Sequence, residues 1–260
     1  MKRRIFIVSA AVLGMTSLHG QVVDLNDAIN KAGRQRMLSQ RMSKAYLALV
    51  QKVEPEAAQK VLDRSISLFD RQLVELKAFA PDPSIRETYV KLEGTWNDFK
   101  GVLVGSVPSK EQAAKVVQMD GATLALAHQG TQQLEKLSGK AVGKLVNMSG
   151  RQRMLSQRMA KFYLAQALQI DPQGSLTEMG KASAEFVAAL EILRNAPEAT
   201  AKIKEELALA DGQWIFFDQG LQRRDGARAS PKLMSDVFVA SENMLIIMER
   251  VTGMYSNIKV

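Results

Sequence analysis

Cysteine is absent from all 260 residues, which excludes a disulfide framework, thiolate zinc sites, iron–sulfur clusters, haem attached through Cys-x-x-Cys and a cysteine nucleophile. Histidine is nearly absent too, with only His19 and His128. Seven prolines and 6% aromatic residues beside 46% apolar residues point to a folded, helix-rich chain of one or two domains. Sustained two-residue alternation of β-branched residues is missing, so the expected fold class is all-α.

Long hydrophobic runs are also lacking, apart from one near the start. Lys2, Arg3 and Arg4 precede the apolar stretch Ile5 to Met15, and Thr16 to Gly20 form a small or polar stretch suited to cleavage. That run is shorter than the roughly twenty residues a transmembrane helix needs. Residues 1–20 therefore read as a secretory signal, and no Cys follows to carry a lipid. The expected mature chain is periplasmic, not inserted in the membrane, with no nucleic acid among its partners.

Acidic residues are missing from two windows. The formal charge is +8, and removal of the signal would leave +5. Ala28 to Val53 contains no Asp or Glu but carries Lys31, Arg34, Arg36, Arg41, Lys44 and Lys52. Lys136 to Ile170 repeats the pattern with Lys136, Lys140, Lys144, Arg151, Arg153, Arg158 and Lys161. The rest of the mature chain has nineteen cations against all twenty-seven acids, so two cationic segments are set in an acidic body. Such clustering suggests local anion sites rather than a generally basic surface.

The windows are two copies of one segment. Residues 30–47 recur as 147–164 with fourteen of eighteen positions identical at an offset of 117, including Gly33, Arg34, Gln35, Arg36, Met37 and Leu38 against Gly150, Arg151, Gln152, Arg153, Met154 and Leu155. The apolar stripe Leu62, Ile66, Phe69, Leu73 and Leu76 is repeated by Met179, Ser183, Phe186, Leu190 and Leu193. Ile85, Tyr89, Leu92, Trp96, Phe99 and Leu103 match Ile203, Leu207, Ala210, Trp214, Phe217 and Leu221, which makes the two tryptophans expected core anchors. A fourth element is clear in copy two from Val237 to Ile258 and more polar in copy one between Ser109 and Leu137. Prolines 55, 81, 83, 108, 172, 197 and 231 punctuate eight helices. The expected architecture is two tandem antiparallel four-helix bundles, residues 21–137 and 138–260. The pattern allows a pseudo-twofold packing of the bundles, an end-to-end tandem, or one long helix across Ser138 and Gly139.

The repeated first helix carries two stripes. Leu38, Met42, Ala45 and Leu49 can seal onto their own bundle. Ile29, Gly33, Arg36, Gln40, Ser43 and Leu47 form a second stripe, apolar at its ends and polar in the middle, matched by Val146, Gly150, Arg153, Gln157, Ala160 and Leu164. A glycine inside a helix costs up to about 1 kcal/mol relative to alanine. Close approach of a helix or ligand is one reason to keep it. An arginine in a buried seam needs a negative partner, either an acid from another helix or an external anion. Were Arg36 and Arg153 to face each other across a pseudo-twofold axis, a planar oxyanion would suit their paired donors. Arg34 and Arg41 fall on a different face, as do Arg151 and Arg158, and read as salt-bridge partners or a basic rim. Met37, Met42, Met154 and Met159 read as core filler, and His128 as a surface or packing residue. No catalytic residue, metal site or cofactor is expected.

The string Ile29-Asn30-Lys31-Ala32-Gly33, followed by Arg36-Met37 and Ser39-x-Arg41, resembles the PilJ-type N-terminal domain of type IV pili chemotaxis transducers. It is also similar to the sensor domain of nitrate/nitrite-responsive histidine kinases. The resemblance implies a periplasmic four-helix sensor, with Arg36, Gly33, Arg153 and Gly150 as contacts for nitrate or nitrite and Lys31, Arg41 and Arg158 as further basic positions. Met148 stands in copy two where copy one has Lys31, so the half-sites are not equivalent. The anchor, helical relay and output domain usual in those transducers have no counterpart in the sequence, which implies a module that binds or presents. Two functions remain open: a binding protein for a small inorganic oxyanion, or a ligand-free module docking a chemoreceptor or pilus signalling partner.

Overall fold

A computed structural model describes residues 21–105, 107–223 and 229–259. The expected signal, residues 1–20, lies outside them. Eight helices follow in order: α1 (Leu25–Val50), α2 (Pro55–Phe79), α3 (Pro83–Val104), α4 (Lys110–Ser138), α5 (Ala141–Ala167), α6 (Pro172–Asn195), α7 (Ala201–Gln222) and α8 (Pro231–Ser256). Among the described residues there is no strand, and no helix is long and apolar enough to cross a membrane.

The helix boundaries follow from local chemistry. Pro55, Pro83, Pro172 and Pro231 each stand in the first turn, where a missing N–H costs nothing. Asp24, Asp82, Ser109, Asp171, Thr200 and Ser230 accept hydrogen bonds from backbone N–H groups of the helices they start. Gly139, at φ 61°, ends α4 in the left-handed region and so separates it from α5, which removes the single long helix as an option. The turns after α1 and α5 repeat residue by residue: Lys52 and Glu54 take positive φ, as do Gln169 and Asp171. The duplication thus extends to backbone conformation.

Within each copy the helices form a square, α1–α2–α3–α4 and α5–α6–α7–α8, with α1 and α5 as the corners that meet. Trp96 is buried and stacks on Phe69, with ring centroids 4.2 Å apart. Trp214 is only partly buried, although it stacks on Phe186 in the same way at 4.9 Å. Volume is exchanged between copies elsewhere in the core. Tyr89 lies over Gly130 in copy one, where a Cβ would come within 3.1 Å of its ring, and the corresponding pair in copy two is Leu207 with Val251.

Helix α1 packs against α2, α4 and α5, and α5 packs against α1, α6 and α8. The bundles are therefore side by side, not end to end. Gln51 donates to the Leu164 carbonyl at one end of the seam, and Ile29 lies beside Gly143 at the other, so α1 and α5 run parallel. The second stripe read from the sequence is this seam: Ile29, Gly33, Arg36, Gln40, Ser43 and Leu47 are buried in it, as are their counterparts on α5.

Candidate functional site

The seam turns on its two glycines. A Cβ on Gly33 would lie 3.9 Å from the Gly150 Cα, so the bare backbones let α1 and α5 approach closely. Long helical side chains lean toward their own N-terminus, and the two arginines reach back across the seam in this way. Arg36 Nη2 donates to the Asn147 carbonyl at 3.2 Å, and Arg153 Nη2 donates to the Asn30 carbonyl at 3.1 Å. These crossed bonds relate equivalent residues of the two copies and define a pseudo-twofold axis along the seam. Both guanidiniums are fully buried and converge on the glycine pair: the two Nη2 atoms lie 3.2 and 3.4 Å from where a Gly33 Cβ would sit. Arg36, Arg153, Gly33 and Gly150 are thus one cluster.

Two lysines cross the axis by the same rule. Lys44 of α1 donates to Ser241 and Glu242 on α8, at 2.8 and 2.6 Å, while Lys161 of α5 donates to both carboxylate oxygens of Asp120 on α4, at 3.0 and 2.9 Å. Each copy therefore anchors a buried ammonium in the other. Burial pulls Lys44 down to about 8 against the opposing pull of Glu242.

The two arginines differ in their counter-ions. Glu249 on α8 accepts from Arg153 Nη1 at 2.6 Å and, through both oxygens, from Arg34 at 2.8 and 2.9 Å. Burial works against the charge of this carboxylate, but Arg153 and Arg34 outweigh it and hold Glu249 at about 2. Arg36 has no such partner: among the described residues no carboxylate lies within salt-bridge distance of it. Its Nη1 instead meets Nδ1 of His128 at 3.2 Å. Burial, then Arg36 and Arg151, depress His128 to about 4, so at neutral pH the imidazole is uncharged and can accept from the guanidinium. Burial and the nearby Arg151 and Arg153 lower Arg36 itself to about 9.

The other basic positions are bound into the bundles. Lys31 is turned to Asp27 and to Glu75 on α2, at 3.1 and 2.9 Å. Arg41 pairs with Glu242 at 2.5 Å, Arg158 pairs with Glu178 at 2.6 Å, and Arg151 holds Glu185 through two nitrogens. The inter-helix salt bridges read for Arg34, Arg41, Arg151 and Arg158 are present, although the first two reach across to copy two while the last two stay inside it. Glu242, Glu249 and His128 were not legible as seam residues, because each sits on the fourth helix of its copy, far along the chain from the cations it serves. The signal that exposes them is the alignment of α4 with α8. The N-caps Ser109 and Ser230, and the buried Val116 and Val237, Asp120 and Ser241, and Thr131 and Thr252, repeat at an offset of 121.

The site is thus a pair of helices joined about a pseudo-twofold axis through a network of buried charge. Among the described residues no cluster of His, Cys, Asp and Glu is placed to hold a metal ion. The chain belongs to the PilJ family: the model of the N-terminal domain of type IV pili methyl-accepting chemotaxis transducers matches residues 21–122 and 137–219. That family is not known to be catalytic. No curated protein and no solved structure matches the chain.

Proposed function

We propose that the chain is an exported, periplasmic signalling module that docks a chemoreceptor or pilus signalling partner through copy two. The observation that carries this reading is a difference between the outer faces of the copies. Val187 and Ile192 on α6 and Leu209, Ile215 and Phe216 on α7 are exposed, Phe216 to 70%. Their counterparts in copy one are Asp70, Glu75, Lys91, Asn97 and Asp98. Copy one exposes Val74, Val90 and Val104 on the matching helices but no aromatic residue. Phe216 lies with Val239 of α8 in the groove between α7 and α8, and an exposed aromatic residue there without a counterpart in copy one is the kind of surface that partners cover. The reading of residues 1–20 as a secretory signal supports a location outside the cytoplasm.

The test is capture of the purified chain by the periplasmic domain of the type IV pilus chemoreceptor from the same organism, read by biolayer interferometry. Replacing Phe216 with Glu and Ile215 with Lys together is expected to weaken capture by roughly thirtyfold or more, while Asp98→Ala on copy one leaves it unchanged. Unaltered capture by the double variant sinks the reading.

One observation favours a second reading, in which nitrate or nitrite is held on the seam by Arg36 and Arg153 with Gly33 and Gly150. Arg36 is a buried guanidinium without a carboxylate, and an oxyanion on the axis would supply one. Glu249 already neutralises Arg153, so such an anion would answer to Arg36 chiefly.

A further inference from the structure

The offset that aligns α4 with α8 places His128 at the position of Glu249 and Gly121 at the position of Glu242. On the α8 side of the seam these two glutamates fill the space beside Arg153, Arg34 and Arg41. On the α4 side the equivalent cations are Arg36, Arg151 and Arg158, and both carboxylates are missing. What remains is a cavity of about 380 Å³ between α4, α5 and α6, lined by Arg36, Gly121, His128, Arg151 and Arg158. Glu185 and Glu178 on its far wall take Arg151 and Arg158, and Lys181 adds a further cation at the rim. Three guanidiniums and an ammonium against two carboxylates leave the cavity with a net positive charge of two. Arg36, fully buried at its floor, shares an unpartnered Nε with Arg153 but, unlike Arg153, lends its Nη1 to a neutral imidazole instead of a carboxylate.

We propose that this cavity is a binding site for a small organic carboxylate, which takes Arg36 Nη1 from His128 and bridges to Arg151 as Glu249 bridges Arg153 and Arg34. The molecule itself carries the template for the bound state, because the same pair of guanidiniums on the opposite side of the axis closes on a carboxylate. Arg151 gives Glu185 its Nε and Nη2, so Nη1 is left for the ligand. An organic anion is favoured over a bare inorganic one by the rest of the wall, where Leu124, Met154 and Leu155 offer an apolar surface to a short carbon chain. His128 acts as the stand-in that keeps Arg36 hydrogen-bonded while the site is empty. The cavity does not include Ile215 or Phe216 of α7, and the proposal does not depend on docking there.

Thermal unfolding and titration calorimetry of the purified chain with sodium acetate, propionate and succinate, against sodium chloride and sodium nitrate at equal ionic strength, test the proposal. At least one carboxylate is expected to raise the melting temperature saturably, through binding to the native state, and nitrate to act no more strongly than chloride. His128→Glu supplies the missing carboxylate from within. It is expected to raise the ligand-free melting temperature and to weaken carboxylate binding by roughly a hundredfold. His128→Ala removes the acceptor that competes for Arg36 Nη1 and is expected to strengthen the response. Should His128→Glu fold poorly, Gly121→Glu fills the cavity from its other end and is expected to abolish the response in the same way. The proposal is overturned if no carboxylate exceeds chloride, if nitrate matches the best carboxylate, or if a folded glutamate variant binds as the parent chain does.

Discussion

Helices α4 and α8 each hold a lysine of the seam with a carboxylate, but they meet its arginines with different partners. On α8, Glu242 and Glu249 take four cations between them, Arg41 and Lys44 on one carboxylate and Arg34 and Arg153 on the other. On α4, Gly121 and His128 stand in their place, and the counter-ions of Arg151 and Arg158 come from α6 instead. Duplication therefore preserved the cations and their crossed carbonyl bonds almost unchanged while the anions were redistributed. Arg36, Lys44, Arg153 and Lys161 are constrained by both copies at once, because each reaches into the other copy. The fourth helices flank the seam without forming the α1–α5 contact itself, so their side chains are freer to diverge. One half of the seam thereby became a closed structural lock, and the other retained a buried arginine beside an open cavity.

The most severe way to break this comparison is to remove the lock. Glu249→Ala strips the counter-ion from a fully buried guanidinium and from a second, partly buried one. Uncompensated burial of a charge is expected to destabilise the fold by about 3 kcal/mol. The equivalent change on the other side, His128→Ala, removes a neutral acceptor and leaves Arg36 bonded to the Asn147 carbonyl, so it should cost under about 1 kcal/mol. Urea denaturation of the two variants beside the parent chain measures the difference. Equal losses would mean that the copies share the burden of the seam charge after all.

Acid separates the same two sides by pH. His128 is the only histidine beyond residue 20, and its folded value of about 4 lies below its ordinary 6.5, so the unfolded chain takes up the proton first. Its contribution is complete above about pH 6.5 and is lost as the pH falls toward about 4. Glu242 and Glu249 lie at about 2 in the fold against 4.5 ordinarily, so their contribution is complete above about pH 4.5 and is lost as the pH falls through about 2. Stability should therefore decline in two stages on acidification, and His128→Gln should remove the first stage while leaving the second. Denaturation midpoints measured from pH 7 to pH 3 check this. A first stage that survives the substitution would place its titration elsewhere.

The limits of reading this from sequence have a physical source. The apolar stripes, the capping residues and the seam stripe through Gly33 and Arg36 were legible because helical periodicity is a local property. The meeting of Arg36 with Arg153 was legible only as an option, since an end-to-end tandem would bury the same stripes. The counter-ions were not legible. Arg34 and Glu249 are 215 residues apart, and the offset between copies drifts from 117 in the first helices to 121 in the fourth, so simple repeat arithmetic does not set His128 opposite Glu249. Nothing in the composition distinguishes a glutamate that fills a seam from one that faces water. His128, read as a surface or packing residue, lies against the guanidinium of Arg36.

The smallest stability effect sharpens the comparison furthest. Glu185 has no charged counterpart in copy one, where Leu68 occupies its place, so its pairing with Arg151 is an addition particular to the α4 side. Both partners are more than a third exposed, and pairs of that kind contribute at most about 1 kcal/mol. Glu185→Gln should leave the urea midpoint nearly unchanged. It also returns the whole guanidinium edge of Arg151 to the cavity and removes one of the two negative charges on the far wall. If the cavity takes a carboxylate, affinity should therefore rise by roughly three- to tenfold in the variant, measured by titration with the same sodium salts. If Glu185 instead holds Arg151 in its productive position, affinity will fall with the midpoint still unchanged, and the α4 side will prove to be as firmly organised by its own acids as the α8 side is by Glu249.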